Sequence, residues 1–405
     1  MQDLKKITAP ASKSYLQRAL AISALANGTS ILTNISWCDD SFVAKKIIEN
    51  LGSELEEENE ILKIKSQGLN LKSTEINTGE AGLSLRMFSS ILALSGKEIT
   101  FSGEGSLLNR PLYFISNALS QLGVKMESNN GFLPLKISGK IKAGKINIDG
   151  SISSQVLTGL LITLPLLNGN SEIRVKNLKS KPYIDMTLSI MKSFGVLVEN
   201  IDYELFKIKG NQKYLATEYN IEGDWSAGAF FLVFGAVKSK IEVENLDFKS
   251  KQADKEIVTV LKKAGANITI KENSVIVEPN KLKAFDFDAS DCPDLFPPIV
   301  CLASQCAGTS KIKGVSRLLH KESNRAEVLK QEFAKIGINI SLKDDFMFIE
   351  GSEIKQGTIN SHNDHRIAMA AAIMNLFSDE EISIENKDAV NKSYPDFFED
   401  LRGLY

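Results

Sequence analysis

The pattern of hydrophobic and polar positions repeats along this chain with a pitch close to seventy residues. Six times a helix-like stretch ends at a glycine and is followed by an extended apolar segment. Glycine is a common helix stop because it adopts the left-handed conformation without steric cost. The glycines are Gly52, Gly123, Gly195, Gly265, Gly337 and Gly403, separated by 71, 72, 70, 72 and 66 residues. This regular spacing predicts six copies of one supersecondary unit.

Within each unit, the pattern predicts alternating strands and helices in the order βαβαββ. Short strands with an apolar or alternating pattern follow the first five glycines. We predict these strands at residues 61–66, 132–138, 205–209, 275–278 and 346–350. A unit of this size exceeds the roughly 20–50 residues of a solenoid repeat and favours an α/β fold. The alternative is that these are the ordinary helix ends and turns of an α/β protein, without a true repeat.

Composition and charge narrow the class of protein. The 405 residues favour two domains, and 43% hydrophobic and 24% charged residues are typical of a soluble globular protein. A net charge of −2 excludes bulk attraction to nucleic acid or membrane surfaces. The chain shows no signal-peptide pattern, and its most apolar run, at 156–167, contains Pro165. We therefore expect a cytoplasmic protein without a nucleic-acid or membrane partner.

The cysteines and histidines give no pattern typical of a metal site or a disulfide framework. The chain has four cysteines and three histidines, and no two cysteines form a CxxC pair. These residues are Cys38, Cys292, Cys301, Cys306, His320, His362 and His365. We expect reduced thiols and no bound metal.

Several predicted helix starts carry many serine, lysine, arginine and acidic side chains. They lie at residues 11–18, 78–86, 153–155, 291–294 and 363–366. A helix N-terminus offers free backbone N–H groups and attracts anions, so a cation there disfavours the helix unless an anion binds beside it. We therefore predict that several starts converge on one multiply charged ligand. The alternative for each cation is a solvated surface charge.

At these helix starts, the chain resembles the 5-enolpyruvylshikimate-3-phosphate (EPSP) synthase family, the carboxyvinyl transferases of the shikimate pathway. The resemblance extends from Pro10 to Pro395 and rests on nine short motifs in the family's order. They are Ser12-Lys13-Ser14 with Arg18, Ala81-Gly82 with Arg86, Asn109-Arg110-Pro111, Ser153-Ser154-Gln155, Ser180-Lys181-Pro182-Tyr183, Pro293-Asp294, Lys321-Glu322-Ser323 with Arg325, Asn363-Asp364-His365-Arg366 and Lys392-Ser393-Tyr394-Pro395.

The resemblance implies a two-lobed inside-out α/β barrel of the EPT/RTPC-like type. Each lobe would hold three βαβαββ repeats with the helices packed inward. One lobe would span residues 12–221 and bind mainly shikimate-3-phosphate. The other would combine residues 1–11 with 222–405 and carry the catalytic acid and base and residues that bind phosphoenolpyruvate. The family likeness also implies a monomer.

The reaction implied by the resemblance joins shikimate-3-phosphate to phosphoenolpyruvate through a tetrahedral intermediate, releases phosphate and needs no cofactor. Both substrates are anions, which explains basic side chains in a nearly neutral protein. Residues implied to hold shikimate-3-phosphate are Lys13, Ser14, Arg18, Ser153, Ser154, Gln155, Ser180, Tyr183, Asp294 and Lys321. Residues implied to hold phosphoenolpyruvate are Lys13, Gly82, Arg110, Gln155, Arg325, Arg366 and Lys392.

Three residues are expected to move protons. Asp294 would accept the proton of the substrate 5-hydroxyl, and Glu322, assisted by Lys13, would exchange a proton at the methylene carbon of phosphoenolpyruvate. The alternatives are that Asp294 only caps a helix and that Glu322 forms an exposed ion pair.

Three positions depart from the family pattern: Glu80, Leu83 and Asn324 stand where asparagine, threonine and aspartate are usual. A carboxylate at position 80 is unfavourable beside an anion site unless a cation such as Arg86 pairs with it. Sensitivity to glyphosate, the family's inhibitor, does not follow from this sequence.

Two other functions compete with this interpretation. The related UDP-N-acetylglucosamine carboxyvinyl transferases have a reactive cysteine beside their Arg-Pro segment, but residues 103–119 contain none. A binding protein that had kept only the fold would be expected to lose Lys13, Asp294, Glu322 or Lys392, and all four are present.

Overall fold

The computed structural model describes residues 4–151, 153–319 and 321–404 and divides the chain into two compact units. Unit A is Lys13–Ile221, and unit B combines the chain up to Ser12 with the chain from Glu222 onward. The helices are α1 Lys13–Leu25, α2 Asp39–Asn50, α3 Gly82–Leu92, α4 Tyr113–Leu119, α5 Gln155–Thr163, α6 Lys181–Ser193, α7 Trp225–Val237, α8 Ile257–Ala264, α9 Phe296–Ser304, α10 Arg325–Ala334, α11 His365–Phe377 and α12 Phe397–Arg402.

The strands begin with β1 Lys5–Thr8, β2 Asn27–Thr33, β3 Glu54–Glu58, β4 Ile61–Gln67, β5 Glu75–Asn77, β6 Ile99–Ser102, β7 Lys125–Asn129, β8 Phe132–Ser138, β9 Lys145–Asp149, β10 Ser171–Lys176 and β11 Glu199–Ile201. They continue with β12 Leu205–Ile208, β13 Glu218–Asn220, β14 Ile241–Glu244, β15 Asn267–Ile270, β16 Ser274–Glu278, β17 Asp286–Asp288, β18 Thr309–Lys313, β19 Ile340–Lys343, β20 Phe346–Glu350, β21 Gly357–Asn360 and β22 Ile382–Glu385.

Three sheets show the predicted βαβαββ unit in full, each built from one continuous segment of chain. Their strand orders are β5-β6-β8-β7, β9-β10-β12-β11 and β17-β18-β20-β19. In each, the first two strands are parallel and the others antiparallel, which requires a helical crossover before the second strand. The strands predicted at 132–138 and 346–350 are confirmed as β8 and β20.

Two further four-stranded sheets take their outer parallel strand from a distant part of the sequence. In unit B, Lys5 of β1 pairs with Ile241 of β14, in the order β1-β14-β16-β15. In unit A, Glu218 of β13 pairs with Ile31 of β2, in the order β13-β2-β4-β3. In unit B, the completing strand β1 comes long before the rest of its sheet in the sequence. In unit A, the completing strand β13 comes long after it.

The residues of unit B that flank the two connections to unit A run antiparallel to each other. The Ser12 N–H donates to the Glu222 carbonyl oxygen at 2.8 Å, and the Asp224 N–H donates to the Pro10 carbonyl oxygen at 2.8 Å. Between them, a side chain on Gly223 would overlap the carbonyl oxygen of Asn245, so only glycine fits.

The sixth repeat is shorter than predicted. It contains β21 and β22, which pair in parallel on either side of α11, and then α12, without a hairpin in the residues described up to 404. Gly403 has a φ of −62°, whereas the other five repeat glycines have φ between +82° and +101°. Its N–H donates to the carbonyl oxygens of Glu399 and Asp400 and continues the turn of α12. The prediction of a left-handed stop at Gly403 is therefore wrong, because its backbone keeps a right-handed conformation.

The inner helices are the most buried elements of both units. All residues of α3 in unit A are buried, and α7, α9 and α11 pack on one another in unit B. The sheets are buried on one face: along β4, the side chains of Leu62, Ile64 and Ser66 point inward and those between them are exposed. The helices therefore lie inside and the sheets outside, as expected for an inside-out barrel.

Close packing of α3 on α5 depends on Gly159. A Cβ at this position would lie 2.7 Å from the Met87 carbonyl oxygen and 3.1 Å from the Arg86 carbonyl oxygen, which are backbone atoms that cannot rotate away. Because α3 begins at Gly82, its position also fixes the charged groups at that helix start.

We predict that Gly159→Ala lowers the free energy of unfolding by about 1–3 kcal/mol, because overpacking outweighs the gain in helix propensity. Urea unfolding followed by circular dichroism measures this loss. Gly144→Ala is the control, since its Cβ would be 3.6 Å from Leu122 Cδ2 in ordinary contact. Equal unfolding midpoints for the two variants would contradict the close approach of the helices.

Candidate active site

In unit A, the guanidinium of Arg18 is a buried cation beside hydroxyl and carbonyl groups. Arg18 is 1% exposed. Its Nε donates to Thr187 Oγ1 at 2.9 Å and its Nη1 to the Ser14 carbonyl oxygen at 2.7 Å. Burial lowers the pKa of Arg18 to about 10, so it stays charged at neutral pH. Both of these acceptors are uncharged and no carboxylate of the described residues forms an ion pair with Arg18, and a buried charge of this kind is stabilised by an anionic ligand.

Lys13 begins α1 and is held by an acidic side chain that the sequence analysis did not single out. Its Nζ lies 2.8 Å from Oδ2 of Asp40 in the first turn of α2, and both side chains are mostly buried. Acidic residues in a first helical turn commonly stabilise the helix dipole, so nothing in the local sequence indicates another role for Asp40. The ion pair fixes where the Lys13 ammonium lies.

Two guanidinium groups meet at the start of α3. A Cβ on Gly82 would lie 2.9 Å from Arg86 Nη1 and 3.0 Å from Arg110 Nη1, and both arginines are buried. Arg86 also donates to Gln155 Oε1 at 2.6 Å, and Arg110 donates to Ser106 Oγ at 3.0 Å. Two cations beside a helix N-terminus form a site suited to an anion.

Arg86 belongs to a quoted motif and to a helix start predicted to face an anion, but it was not assigned to either substrate. It lies four residues after Gly82, and long helical side chains point back toward the N-terminus. The spacing of four residues between Gly82 and Arg86 was the sequence signal that could have identified Arg86 as a neighbour of the helix start. The structure brings it together with the predicted residues Gly82, Arg110 and Gln155.

Glu80 contacts the backbone of the following loop. Its Oε2 accepts the Ser106 N–H at 2.9 Å, and its carboxyl group occupies the space where a side chain on Gly105 would lie. Leu83, the second unusual residue, is buried in the first turn of α3. Pairing of Glu80 with Arg86 stays a prediction.

The starts of α5 and α6 carry the other polar residues predicted in unit A. Ser153 Oγ accepts the N–H of Gln155 at 3.2 Å, and the buried Ser154 immediately precedes α5. Ser180 precedes α6 in a left-handed conformation with φ of 57°, which turns the chain into the helix. Tyr183 lies in the first turn of α6.

Thr187 connects these starts to Arg18. Its hydroxyl donates to the Tyr183 carbonyl oxygen at 2.9 Å, accepts from Arg18 and lies 3.2 Å from Thr158 Oγ1. The helix starts of α1, α5 and α6 are therefore held together by buried hydroxyl groups. Thr187 is absent from the predicted set because nothing in its local sequence indicates this contact.

In unit B, Arg325 is fully buried and binds three carboxylates. Its Nε lies 3.0 Å from Asp364 Oδ2, its Nη1 donates to Asp294 Oδ1 at 2.7 Å, and its Nη2 donates to Glu322 Oε2 at 2.7 Å. Burial lowers the pKa of Arg325, but the three carboxylates outweigh burial and hold it above its ordinary value. Arg325 is the first residue of α10, and Asn324, the third residue that departs from the family pattern, directly precedes this helix.

Asp294 accepts from several cations at once. Its Oδ1 lies 3.1 Å from Lys321 Nζ, 2.7 Å from Arg325 Nη1 and 3.5 Å from Arg366 Nε. Burial favours the neutral carboxyl, but these cations outweigh burial and hold the pKa of Asp294 well below its usual range. Asp294 is therefore ionised at neutral pH. The alternative of an exposed ion pair for Glu322 is wrong, because its partner Arg325 is fully buried.

The start of α11 positions two further predicted residues. Asp364 caps the helix by accepting the Arg366 N–H at 3.0 Å and also accepts from Ser323 Oγ at 2.9 Å. Lys392 donates to the Asn363 carbonyl oxygen at 2.7 Å. Asp364 lies within a quoted motif, but its contacts with residues of another helix start could not be read from the sequence.

The described residues also bear on the expectations for metal ligands, membrane helices and cysteines. No group of three or more His, Cys, Asp or Glu side chains in the described part of the chain could hold a metal ion. None of the helices within 4–151, 153–319 or 321–404 is both long and apolar enough to cross a membrane. The four cysteines are free and buried, and His320 lies outside the described residues.

The βαβαββ repeats and the charged helix starts define an α/β enzyme class that acts on anionic substrates. The sequence model of the family described as EPSP synthase (3-phosphoshikimate 1-carboxyvinyltransferase) matches residues 3–401. The chain therefore belongs to the EPSP synthase family of carboxyvinyl transferases. Proteins named 3-phosphoshikimate 1-carboxyvinyltransferase from Clostridium novyi and Clostridium kluyveri are each 40% identical to it, over 98% of this chain and 94% of each relative.

Solved structures share the fold at lower identity. The EPSP synthase of Acinetobacter baumannii superimposes with a TM-score of 0.83 at 24% identity, over 99% of this chain and 95% of that one. The enolpyruvyl transferase NikO of Streptomyces tendae gives a TM-score of 0.78 at 14% identity, over 100% and 95% of the two chains. These likenesses identify the fold of this chain as that of the enolpyruvyl transferases.

We predict that Gly82→Ala weakens anion binding by roughly 10–100-fold, the effect of losing one charge-assisted hydrogen bond of about 1.5–3 kcal/mol. The new methyl group would displace the guanidinium of Arg86 or Arg110. Calorimetric titration with inorganic phosphate measures the change, with Gly144→Ala as the control. Unchanged phosphate affinity in a folded Gly82→Ala protein would show that these guanidinium groups do not form the anion site.

Proposed function

We propose that this chain transfers the carboxyvinyl group of phosphoenolpyruvate to the 5-hydroxyl of shikimate-3-phosphate and releases phosphate, in the shikimate pathway to chorismate and the aromatic amino acids. Membership of the EPSP synthase family over residues 3–401 carries this proposal. The buried cations of unit A and the ionised Asp294 of unit B support it, because the reaction needs anion-binding groups and a proton acceptor.

Binding roles are proposed for the residues of the sequence motifs. Arg18, buried without a carboxylate partner among the described residues, suits the phosphate of shikimate-3-phosphate. The guanidinium of Arg110 beside the Gly82 backbone suits an oxygen of phosphoenolpyruvate. For shikimate-3-phosphate we retain Lys13, Ser14, Arg18, Ser153, Ser154, Gln155, Ser180, Tyr183, Asp294 and Lys321. For phosphoenolpyruvate we retain Lys13, Gly82, Arg110, Gln155, Arg325, Arg366 and Lys392.

The proposed first step is addition. The methylene carbon of phosphoenolpyruvate gains a proton, for which we propose Glu322 with Lys13. The 5-hydroxyl oxygen then bonds to the neighbouring carbon and loses its proton to Asp294. In the second step, the new methyl group returns a proton to Glu322 with Lys13, the bond from carbon to the phosphate oxygen breaks, and phosphate leaves with the proton that Asp294 had accepted. Protons and bonds therefore balance without another reactant.

The cations around Asp294 bear directly on its proposed role. Lys321, Arg325 and Arg366 keep it ionised, as a proton acceptor must be, but they also reduce its basicity. An anionic substrate bound to Arg325 or Arg366 would partly neutralise the positive charge that acts on Asp294. The Asp294 carboxylate would then become more basic. Substrate binding would thus activate the base.

We also propose that the protein is a cytoplasmic monomer without a nucleic-acid or membrane partner. The small net charge of −2 supports the absence of a nucleic-acid or membrane partner, and the family resemblance supports the monomer. Light scattering of the purified protein tests the monomer, and a dimer mass would overturn that part.

We predict phosphate release when the protein is mixed with phosphoenolpyruvate and shikimate-3-phosphate. Unphosphorylated shikimate and UDP-N-acetylglucosamine serve as control acceptors. Release with the nucleotide sugar would assign the related carboxyvinyl transferase activity instead. If the folded protein releases no phosphate with any acceptor, a binding protein is favoured. Glu80 and Leu83 would then be the candidate changes that disable catalysis.

We predict that Asp294→Asn lowers kcat by about 10²–10⁴-fold, as expected for removal of a positioned acid–base group. The amide keeps the shape of the side chain, so the KM values should change less than kcat. Asp288→Asn is the matched control in the same unit, because Asp288 is half exposed, forms an ion pair with Lys313 and accepts the Ser290 N–H, a hydrogen bond that the amide oxygen can keep. Steady-state kinetics measure both variants. A kcat close to that of the unmodified protein would exclude Asp294 as the proton acceptor.

A further inference from the structure

Asp254 is a buried carboxyl group with which no cation of the described residues forms an ion pair. It lies in the 3₁₀ turn Ala253–Glu256 before α8 and is 1% exposed. Its Oδ2 accepts a hydrogen bond from Ser226 Oγ, and its Oδ1 is buried without a hydrogen-bond partner among the described residues. By contrast, the nearby Asp294 is paired with guanidinium groups. A buried oxygen left without a donor is costly when the group is ionised.

Charged and titratable groups face Asp254 from three directions. Asp224 and Ser226 lie at the start of α7, Asp294 and Cys292 lie in the segment before α9, and Arg366 lies in α11. Burial raises the pKa of Asp254 to about 7; Asp294 and Asp224 raise it as well, whereas Arg366 and the Ser226 hydrogen bond lower it. The raised pKa of the Cys292 thiol keeps that group neutral. Asp254 is therefore the group in this cluster that gains and loses its charge near neutral pH.

We propose that Asp254 is a positioning residue that sets the charge around Arg366 and Asp294, so that an anion binds Arg366 more tightly when Asp254 carries a proton. The inference rests on the proposed function in taking Arg366 as a ligand of phosphoenolpyruvate. Arg366 is already 3.5 Å from Asp294 Oδ1. When Asp254 is neutral, Asp294 and Asp224 are the carboxyl groups that act on Arg366, whereas an ionised Asp254 adds a further negative charge in a buried environment.

The coupling must be reciprocal. If protonation of Asp254 strengthens binding of an anion, binding of the anion must favour protonation of Asp254 by the same factor. One pKa unit of such coupling corresponds to a tenfold change in affinity. The anion should therefore bind best below pH 7 and lose affinity as the pH rises through this value.

The test compares kcat and the KM for phosphoenolpyruvate between pH 5.5 and 9 in the unmodified protein and in Asp254→Asn. We expect the KM of the unmodified protein to rise about tenfold more across this range than that of Asp254→Asn. Ionisation of phosphoenolpyruvate itself is common to both proteins and cancels in the comparison. The kcat of Asp254→Asn at pH 6 should stay close to that of the unmodified protein, because Asp254 is mostly protonated at this pH and the amide is neutral as well.

Ser226→Ala provides a second variant that keeps the carboxyl group. The hydroxyl stabilises the ionised form, so its removal should raise the pKa of Asp254 and move the rise in KM to higher pH. Asp288→Asn again serves as the control and should keep the pH profile of the unmodified protein. Equal profiles for Asp254→Asn and the unmodified protein would overturn the inference. A large loss of kcat with the KM profile retained would overturn it too.

Thermal unfolding gives a readout that does not need turnover. The folded-state pKa of Asp254 is raised above its unfolded value, so this group stabilises the fold at low pH, and the stabilisation is lost as the pH rises through about 7. The Tm of Asp254→Asn relative to the unmodified protein should therefore increase between pH 4 and pH 7 and stay constant above. A Tm difference independent of pH would show that Asp254 is ionised throughout and overturn the inference.

Inorganic phosphate separates failure of this inference from failure of the proposed function. If the unmodified protein releases no phosphate from phosphoenolpyruvate and shikimate-3-phosphate, the proposed function fails. Calorimetric titration with inorganic phosphate at pH 6 and pH 8 still measures the coupling. We expect the affinity to fall more between these values in the unmodified protein than in Asp254→Asn, and an equal fall would contradict the coupling.

Discussion

The buried guanidinium of Arg325 is the interaction on which the arrangement of unit B depends. Its planar group binds Asp294, Glu322 and Asp364, which come from three separate segments of the chain. Breaking a buried pair of this kind typically costs about 3–5 kcal/mol, because the remaining charge stays buried. One side chain therefore fixes both the proposed proton acceptor and the cap of the helix that carries Arg366.

Unit A shows a different balance of charge. Its helix starts hold the guanidinium of Arg18 without a carboxylate partner among the described residues and bring two more guanidinium groups to Gly82. Cations gathered in this way repel one another until an anion binds. Unit A is therefore suited to hold anionic groups, whereas the carboxylates of unit B are suited to accept and return protons.

The sequence predicted the fold better than the contacts within the site. The alternation of apolar and polar residues at 132–138 and 346–350 depends only on one sheet face being buried, and it identified both strands correctly. No local pattern indicates the environment of Asp254. Its neighbours Ser226 and Arg366 lie 28 and 112 residues away along the chain. Gly403 shows the opposite failure, since its local sequence matched the other repeats but its φ of −62° is right-handed.

The pairing of β1 with β14 has a consequence for how the chain is made. Unit A is continuous from Lys13 to Ile221 and can close its last sheet as soon as β13 has been synthesised. By contrast, Lys5 in β1 must wait for Ile241 in β14 before it can pair. Contacts of such high sequence separation form late and slowly. During synthesis, one unit can therefore fold while the strand that precedes it stays without its sheet, exposed to proteases and chaperones.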